Sequence, residues 1–231
     1  RYYFSKSLRK NFSFVRIKGL PEAMKLIRLS VETNRPIIFC ANHSSWWDAP
    51  LIFYLTYELF GTDSYCIMEK KQFDMHPYFK GFGAVPIIRE DPRNSLKVLN
   101  ECAAEINGKA KSLWIFPQGE IVPNSKRPVH FFPGLSILME KLSDPLLACL
   151  YFDYRFTKNQ YPETFVNIFK IGGREIIEGV TRDVFTSNLS DLYENQMNEF
   201  ETSFANGNLE DYAVILNGRI SVSDKRFTKF A

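Results

Sequence analysis

Residues 37–48 constrain this chain more than any other stretch. An apolar run, Ile37-Ile38-Phe39-Cys40-Ala41, breaks abruptly into Asn42-His43-Ser44-Ser45-Trp46-Trp47-Asp48. A short apolar, β-branched run with a polar sequel predicts a buried strand that opens into a turn and then a helix. His43 and Asp48 are five positions apart, close to one helical repeat, so the strand end can present its imidazole to the carboxylate of the next turn. Such a pair is either a tuned base or an ordinary loop hydrogen bond. As a base, the aspartate fixes the tautomer and supports the imidazolium, while the other ring nitrogen removes a proton from a hydroxyl. That chemistry requires no metal.

The rest of the chain repeats the pattern of apolar run and polar loop. Strands are expected at 13–18, 37–41, 64–68, 84–88, 113–116, 146–152 and 163–171. Helices are expected at 21–31, with Met24, Ile27 and Val31 on one face, and at 49–60, with Pro50 confined to the first turn. Others follow at 93–107, lined by Leu96, Leu99, Ala103 and Ile106 and closed by Gly108, at 134–142, and at 186–204. Residues 69–82 are mixed and broken by Pro77, and 157–162 and 205–208 read as exposed loops. Alternating strands and helices predict an α/β fold: a single domain over 1–231 with a largely parallel central sheet flanked by helices. In such sheets the active groups gather at the C-terminal ends of the strands. His43, Arg89 and the 117–119 loop all follow expected strands and are placed to converge on one edge.

With 231 residues and 45% apolar content the chain supports one sizeable core. Its 21 Phe and 11 Tyr suit a greasy ligand tunnel, a lipid-facing surface or a plain aromatic core equally. No apolar run approaches the ~18 to 20 residues that span a bilayer. Cys40, Cys66, Cys102 and Cys149 lie far apart without C-x-x-C pairs, which predicts reduced, buried thiols of a cytosolic chain and argues against zinc. The sequence opens on Arg1 rather than Met, which leaves room for a segment upstream.

Charge is distributed unevenly. Of the 29 cations, Arg1, Lys6, Arg9, Lys10, Arg16 and Lys18 fall in the first 18 residues with no acid among them, leaving 23 basic against 26 acidic residues elsewhere. The basicity is an arm, not a field, and nucleic acid is not an expected partner. Within the arm Phe4, Leu8, Phe12 and Val15 recur at helical spacing beside Tyr2 and Tyr3. Residues 1–12 therefore read as an amphipathic basic helix, which either lies in the interface of an anionic membrane or packs on the core.

Several common active sites are absent. Gly134-Leu135-Ser136-Ile137-Leu138 lacks the second glycine of a nucleophile elbow, no phosphate-binding P-loop is present, and Gly81-Phe82-Gly83 is too short for a dinucleotide fingerprint. His76 and His130 read as structural or surface residues. What remains, in chain order, is a base, an arginine and a glycine loop.

That order resembles the glycerolipid acyltransferase superfamily, whose bacterial members include the 1-acylglycerol-3-phosphate acyltransferases. Asn42-His43 through Asp48 matches its N-H-x-x-x-x-D signature. Gly83-Ala84-Val85-Pro86-Ile87-Ile88-Arg89 resembles a second block ending in arginine, and Phe116-Pro117-Gln118-Gly119 a third, usually F-P-E-G-T. Asp144-Pro145-Leu146-Leu147-Ala148 falls where a weak fourth block of the V-P-x-x-P kind is expected. The motif region covers about 37–152. The resemblance implies that His43 is the base and Asp48 its orienter, acting directly on an acyl thioester of coenzyme A or acyl carrier protein. No other cofactor is implied. It further implies that Arg89 binds an acceptor phosphate, with Pro117, Gln118, Gly119 and Glu120 lining the same pocket and Lys70 and Lys71 nearby. The expected partners are a thioester donor, a lipid acceptor and a membrane surface, with the protein peripheral on the cytoplasmic face.

The departures bear on the acceptor. Gln118 replaces the usual Glu, Glu120 the usual Thr, and Ala148 a Pro of the fourth block. A carboxylate at 120 would repel a dianionic head group. Because the arginine block is intact, the expected acceptor is a lysophospholipid such as 1-acylglycerol-3-phosphate; the altered third block leaves an uncharged glycolipid or carotenoid glycoside as the alternative. A catalytically silent lipid-binding protein and a thioester hydrolase are the rival readings.

Overall fold

The computed structural model describes residues 3–222, so Arg1 and Tyr2 of the arm lie outside the described residues. In chain order the first elements are α1 (Tyr3–Asn11), β1 (Phe14–Lys18), α2 (Leu20–Thr33), β2 (Ile37–Ala41), α3 (Asp48–Tyr54) and β3 (Asp63–Glu69). There follow α4 (Lys70–Met75), β4 (Ala84–Ile87), α5 (Pro92–Ile106), β5 (Lys111–Ile115) and α6 (Gly134–Lys141). The last are β6 (Leu146–Arg155), β7 (Glu163–Gly172), α7 (Arg182–Ala205) and β8 (Ala213–Asn217).

The eight strands form one sheet in the order β4-β3-β5-β2-β6-β7-β1-β8. The five strands β4, β3, β5, β2 and β6 run parallel, so their C-terminal ends share an edge. β7 returns antiparallel to β6, β1 runs parallel to β7, and β8 is antiparallel to β1. β2 is central and buried throughout, which explains its unbroken apolar run: Ile37, Phe39 and Ala41 enter one layer, Ile38 and Cys40 the other. The first layer is covered by α1, α2 and α3, the second by α5, α6 and α7.

Local chemistry sets the helix ends. Asp91 caps α5 by accepting from the N–H groups of Arg93 and Asn94 at 3.0 and 3.1 Å, with Pro92 in the first turn. Gly19 opens α2 at φ 80°, and a Cβ there would lie 2.3 Å from the Ile168 carbonyl, so only glycine fits. α3 carries Pro50 in its first turn as expected and continues as a π-helical segment, Leu55–Phe60, up to Gly61.

The structure shifts two expected helix faces. Ala23, Leu26, Ile27 and Ser30 are the buried positions of α2, while Met24 and Val31 are exposed. On α5 Val98, Leu99, Cys102, Ala103 and Ile106 face inward and Leu96 does not. In both helices the true i, i+3, i+4, i+7 series runs through small or polar residues, Ala23, Ser30 and Cys102, that an apolar count undervalues. β8, a five-residue edge strand with little burial, carries no periodic signal and was not expected. The four cysteines are free and buried. Burial pushes the Cys66 thiol up to about 12 and Cys102 up to about 11.

The arm does form a helix, but its apolar face is spent on the core. The Phe4 ring lies 5.1 Å from Phe53 and 4.9 Å from Phe82, Leu8 is fully buried, and Phe12 packs 5.0 Å from Trp47. The expectation that this face lies in a membrane interface is therefore corrected: Phe4, Leu8 and Phe12 gain more from aromatic neighbours already ordered by α3 than a free surface helix offers. Leu8→Ala is expected to destabilise the protein by about 2–5 kcal/mol, the cost of a core cavity. A denaturation midpoint unchanged from wild type would show that the helix is a loose appendage.

Candidate active site

β2 ends at Ala41 in the middle of the shared edge, and the next residues turn the chain back over it. Asn42 is wholly buried and brackets one residue of β6: its Oδ1 accepts from the Phe152 N–H at 2.7 Å, and its Nδ2 donates to the Phe152 carbonyl at 3.0 Å. This clamp fixes the strand end from which His43 projects.

His43 Nδ1 lies 2.7 Å from Asp48 Oδ2. The same oxygen accepts from the N–H groups of Ser44 and Ser45 at 2.8 and 2.9 Å, and Oδ1 accepts from the Tyr154 hydroxyl at 2.6 Å. The Asp48 side chain is completely enclosed, whereas the imidazole is 24% exposed. Because the carboxylate accepts at every contact, Nδ1 is the donor and Nε2 is left with its lone pair. The Phe116 ring stacks on the imidazole at 4.6 Å and holds its plane. Burial, with the Asp48 charge second, pushes the Tyr154 phenol well above its ordinary value, so it remains a donor.

The loop after β5 approaches from the other side. Gln118 is buried, and its Oε1 accepts the His43 backbone N–H at 2.5 Å. Pro117 is buried too, its carbonyl accepting from the Phe132 N–H at 2.8 Å. In these contacts both residues build the loop. The neutral amide serves here because its oxygen meets a peptide N–H. Gly119 sits at φ 71°, and the space a Cβ would take is bounded at 3.2 Å by the Phe132 ring and at 3.5 Å by Arg89 Cδ. What approaches Gly119 closely is thus a side chain of the protein.

Arg89, two residues beyond β4, reaches the same loop. Its Nη1 donates to the Gly119 carbonyl at 2.9 Å and lies 3.5 Å from Glu120 Oε2, while Nη2 is 3.9 Å from Glu69 Oε1. The guanidinium stands between two carboxylates, and its Nε is buried without a partner. Lys70 is tied to Asp74 at 2.9 Å on α4. Asp144–Ala148 lies at the N-terminal end of β6, on the edge opposite His43, where Asp144 bridges Arg35 at 2.7 Å. The fourth-block residues are therefore structural. Among the described residues no cluster of His, Cys, Asp and Glu is arranged to hold a metal ion.

Two supporting residues escaped the sequence reading. Tyr154 lies past the expected end of β6, which continues to Arg155. Asn124, in the β5–α6 loop, accepts from Asn42 at 2.8 Å and donates to Asp153 Oδ2 at 3.0 Å and to the Phe152 carbonyl at 2.8 Å. The only signal was the polar Asp153-Tyr154-Arg155 ending an apolar strand at the functional edge. Tyr154→Phe strips Asp48 Oδ1 of its donor inside an enclosed site and is expected to cost about 1–3 kcal/mol of stability in chemical denaturation. No loss would show that the phenol is dispensable to the carboxylate.

The family model described as Acyltransferase matches residues 24–151, more than half of the chain, from within α2 into β6. No curated protein matches the chain. With a match of that extent, enclosing His43, Asp48, Arg89 and Gly119, the protein belongs to the acyltransferase family of the glycerolipid type.

Proposed function

We propose that the protein moves a fatty acyl group from an acyl thioester, of coenzyme A or acyl carrier protein, to a hydroxyl of a lipid acceptor. What carries the reading is the His43–Asp48 contact at 2.7 Å, with Nδ1 turned to an enclosed carboxylate and Nε2 left to act. His43 Nε2 takes the hydroxyl proton as the oxygen attacks the thioester carbonyl; the C–S bond then breaks and the thiolate leaves. The proton on the imidazolium passes to the thiolate, and the ester is released. A thiolate is a far better leaving group than an alkoxide, its conjugate acid having a pKa near ~8.5, so one positioned base suffices without an enzyme nucleophile.

Spectrophotometric thiol release, measured with and without acceptor, tests this reading. His43→Ala is expected to lower acceptor-dependent release by ~10²-fold or more while the protein stays folded. Wild-type turnover in that variant overturns the base assignment. Release that ignores the acceptor indicates a hydrolase, and no release with any acceptor indicates a silent lipid-binding protein.

The acceptor turns on Arg89. A lysophospholipid such as 1-acylglycerol-3-phosphate would set its phosphate on the guanidinium, which requires Glu120 to swing away. An uncharged, sugar-bearing acceptor such as a glycolipid or carotenoid glycoside leaves the Arg89–Glu120 pair as it stands and uses Glu120 for hydroxyl contacts. Glu69 and Glu120 on either side of the guanidinium favour the second reading, since a dianion would meet two carboxylates there. In competition at equal concentration a glycolipid is expected to outrun lysophosphatidate, and Glu120→Thr to gain lysophosphatidate use. Preference for lysophosphatidate in the wild type, unaltered by Glu120→Thr, decides for the phospholipid.

A further inference from the structure

The loops that build the dyad site also carry large apolar side chains outward. Trp46 follows His43 by three residues. Ile121 precedes Val122, whose N–H donates to the His43 carbonyl at 2.8 Å. Phe132 lies against Gly119, and Phe156 stands two residues past Tyr154. Their exposures are 52, 52, 54 and 74%. Single exposed apolar residues elsewhere on the molecule, such as Val31 or Leu96 on helix surfaces, are ordinary. Four on loops leaving the C-terminal ends of β2, β5 and β6, around one histidine, make a patch that water does not favour.

The charge of the same loops is one-sided. Residues 42–47, 116–133 and 156–162 hold Lys126, Arg127 and Lys158 against a single acid, Glu120, which lies 3.5 Å from Arg89. Lys126 and Lys158 are exposed. Arg127 is partly engaged by the Asn124 and Lys126 carbonyls. Aromatic and aliphatic tips flanked by uncompensated cations match an anionic bilayer interface, where rings sit at the head-group boundary and cations meet lipid phosphates. A protein partner would be expected to supply acids and a shaped groove, whereas these exposed tips come from three separate loops that share one rim.

We propose that the rim of the dyad site docks on an anionic lipid bilayer through Trp46, Ile121, Phe132 and Phe156, with Lys126 and Lys158 toward the head groups. The inference rests on the reading of the acceptor as a lipid. Docked this way, the exposed side of His43 faces the membrane, and an acceptor keeps its chains in the bilayer while its hydroxyl reaches Nε2. The rim takes the role that the buried face of α1 cannot fill.

Co-sedimentation with phosphatidylcholine vesicles, with and without phosphatidylglycerol, tests the surface and needs no catalysis, so it stands or falls apart from thiol release. Ile121→Ser/Phe156→Ser is expected to lower the partition coefficient about tenfold or more, each side chain losing its apolar burial. Lys126→Glu/Lys158→Glu is expected to lower it on the phosphatidylglycerol vesicles alone. Val31→Ser/Leu96→Ser, which removes equally exposed apolar groups from α2 and α5, leaves binding at the wild-type value. As a check independent of those variants, vesicles shift the tryptophan emission of the wild type to the blue, and Trp46→Phe abolishes the shift. A wild type that binds neither vesicle, a rim variant that binds as before, an equal loss in the control pair, or an unchanged shift in Trp46→Phe overturns the proposal.

Discussion

One fully enclosed carboxylate governs the arrangement of this molecule's functional edge. Burying an ionised aspartate without partners costs several kcal/mol, and Asp48 offsets that cost with four donors: an imidazole, two peptide N–H groups and a phenol. Each donor comes from a different demand on the backbone. The two peptides are available only because residues 44 and 45 turn directly over the start of α3, the imidazole only because β2 ends one residue earlier than His43's neighbour Asn42, and the phenol only because β6 outruns β2. Remove the carboxylate and the imidazole, the two peptides and the phenol lose the partner they share.

The parallel sheet makes such a meeting possible. Parallel strands bring their C-terminal ends to one side, so the segments after β2, β4, β5 and β6 emerge together although more than a hundred residues separate Asn42 from Phe152. The interlocking amides of Asn42, Gln118 and Asn124 then fasten the emerging loops to one another. The Asn42–Asn124 contact joins two side chains and the Gln118 contact joins side chain to backbone, so the three linking groups are themselves neutral amides. Behind them Phe12 packs on Trp47 and Tyr154, so the N-terminal segment braces both the loop and the phenol that meet Asp48.

Much of this was legible in the sequence, and the parts that were not share a cause. β2 and β6 announce themselves because strands buried on both faces read as continuous apolar runs, and the His43–Asp48 contact because it is local, five residues apart. Gln118, Pro117 and Gly119 stand out as a motif, but whether each faces ligand or backbone depends on the position of His43 and Phe132, which no local pattern encodes. Tyr154 is the same case in stronger form. Its partner is more than a hundred residues away, and its neighbours differ from those of any strand end only in polarity. The amphipathic arm reads identically whether its apolar stripe meets lipid or Phe53 and Phe82.

The charge around Arg89 carries the same lesson into specificity. An arginine after a strand in an acyltransferase suggests a phosphate site when it is considered alone. In the folded chain the guanidinium already donates to the Gly119 carbonyl and stands between Glu69 and Glu120. Part of its donor capacity thus organises the glycine loop that positions His43 through Gln118. The distinction between a binding arginine and an organising one is therefore electrostatic. Glu120 is exposed, and its hold on Arg89 is weak enough for an incoming anion to compete for the guanidinium, whereas Glu69, at the end of β3, is the less exposed of the two carboxylates and stays beside the guanidinium at 3.9 Å. A guanidinium that keeps this second carboxylate beside it has less of its charge free for an anion than an arginine standing alone.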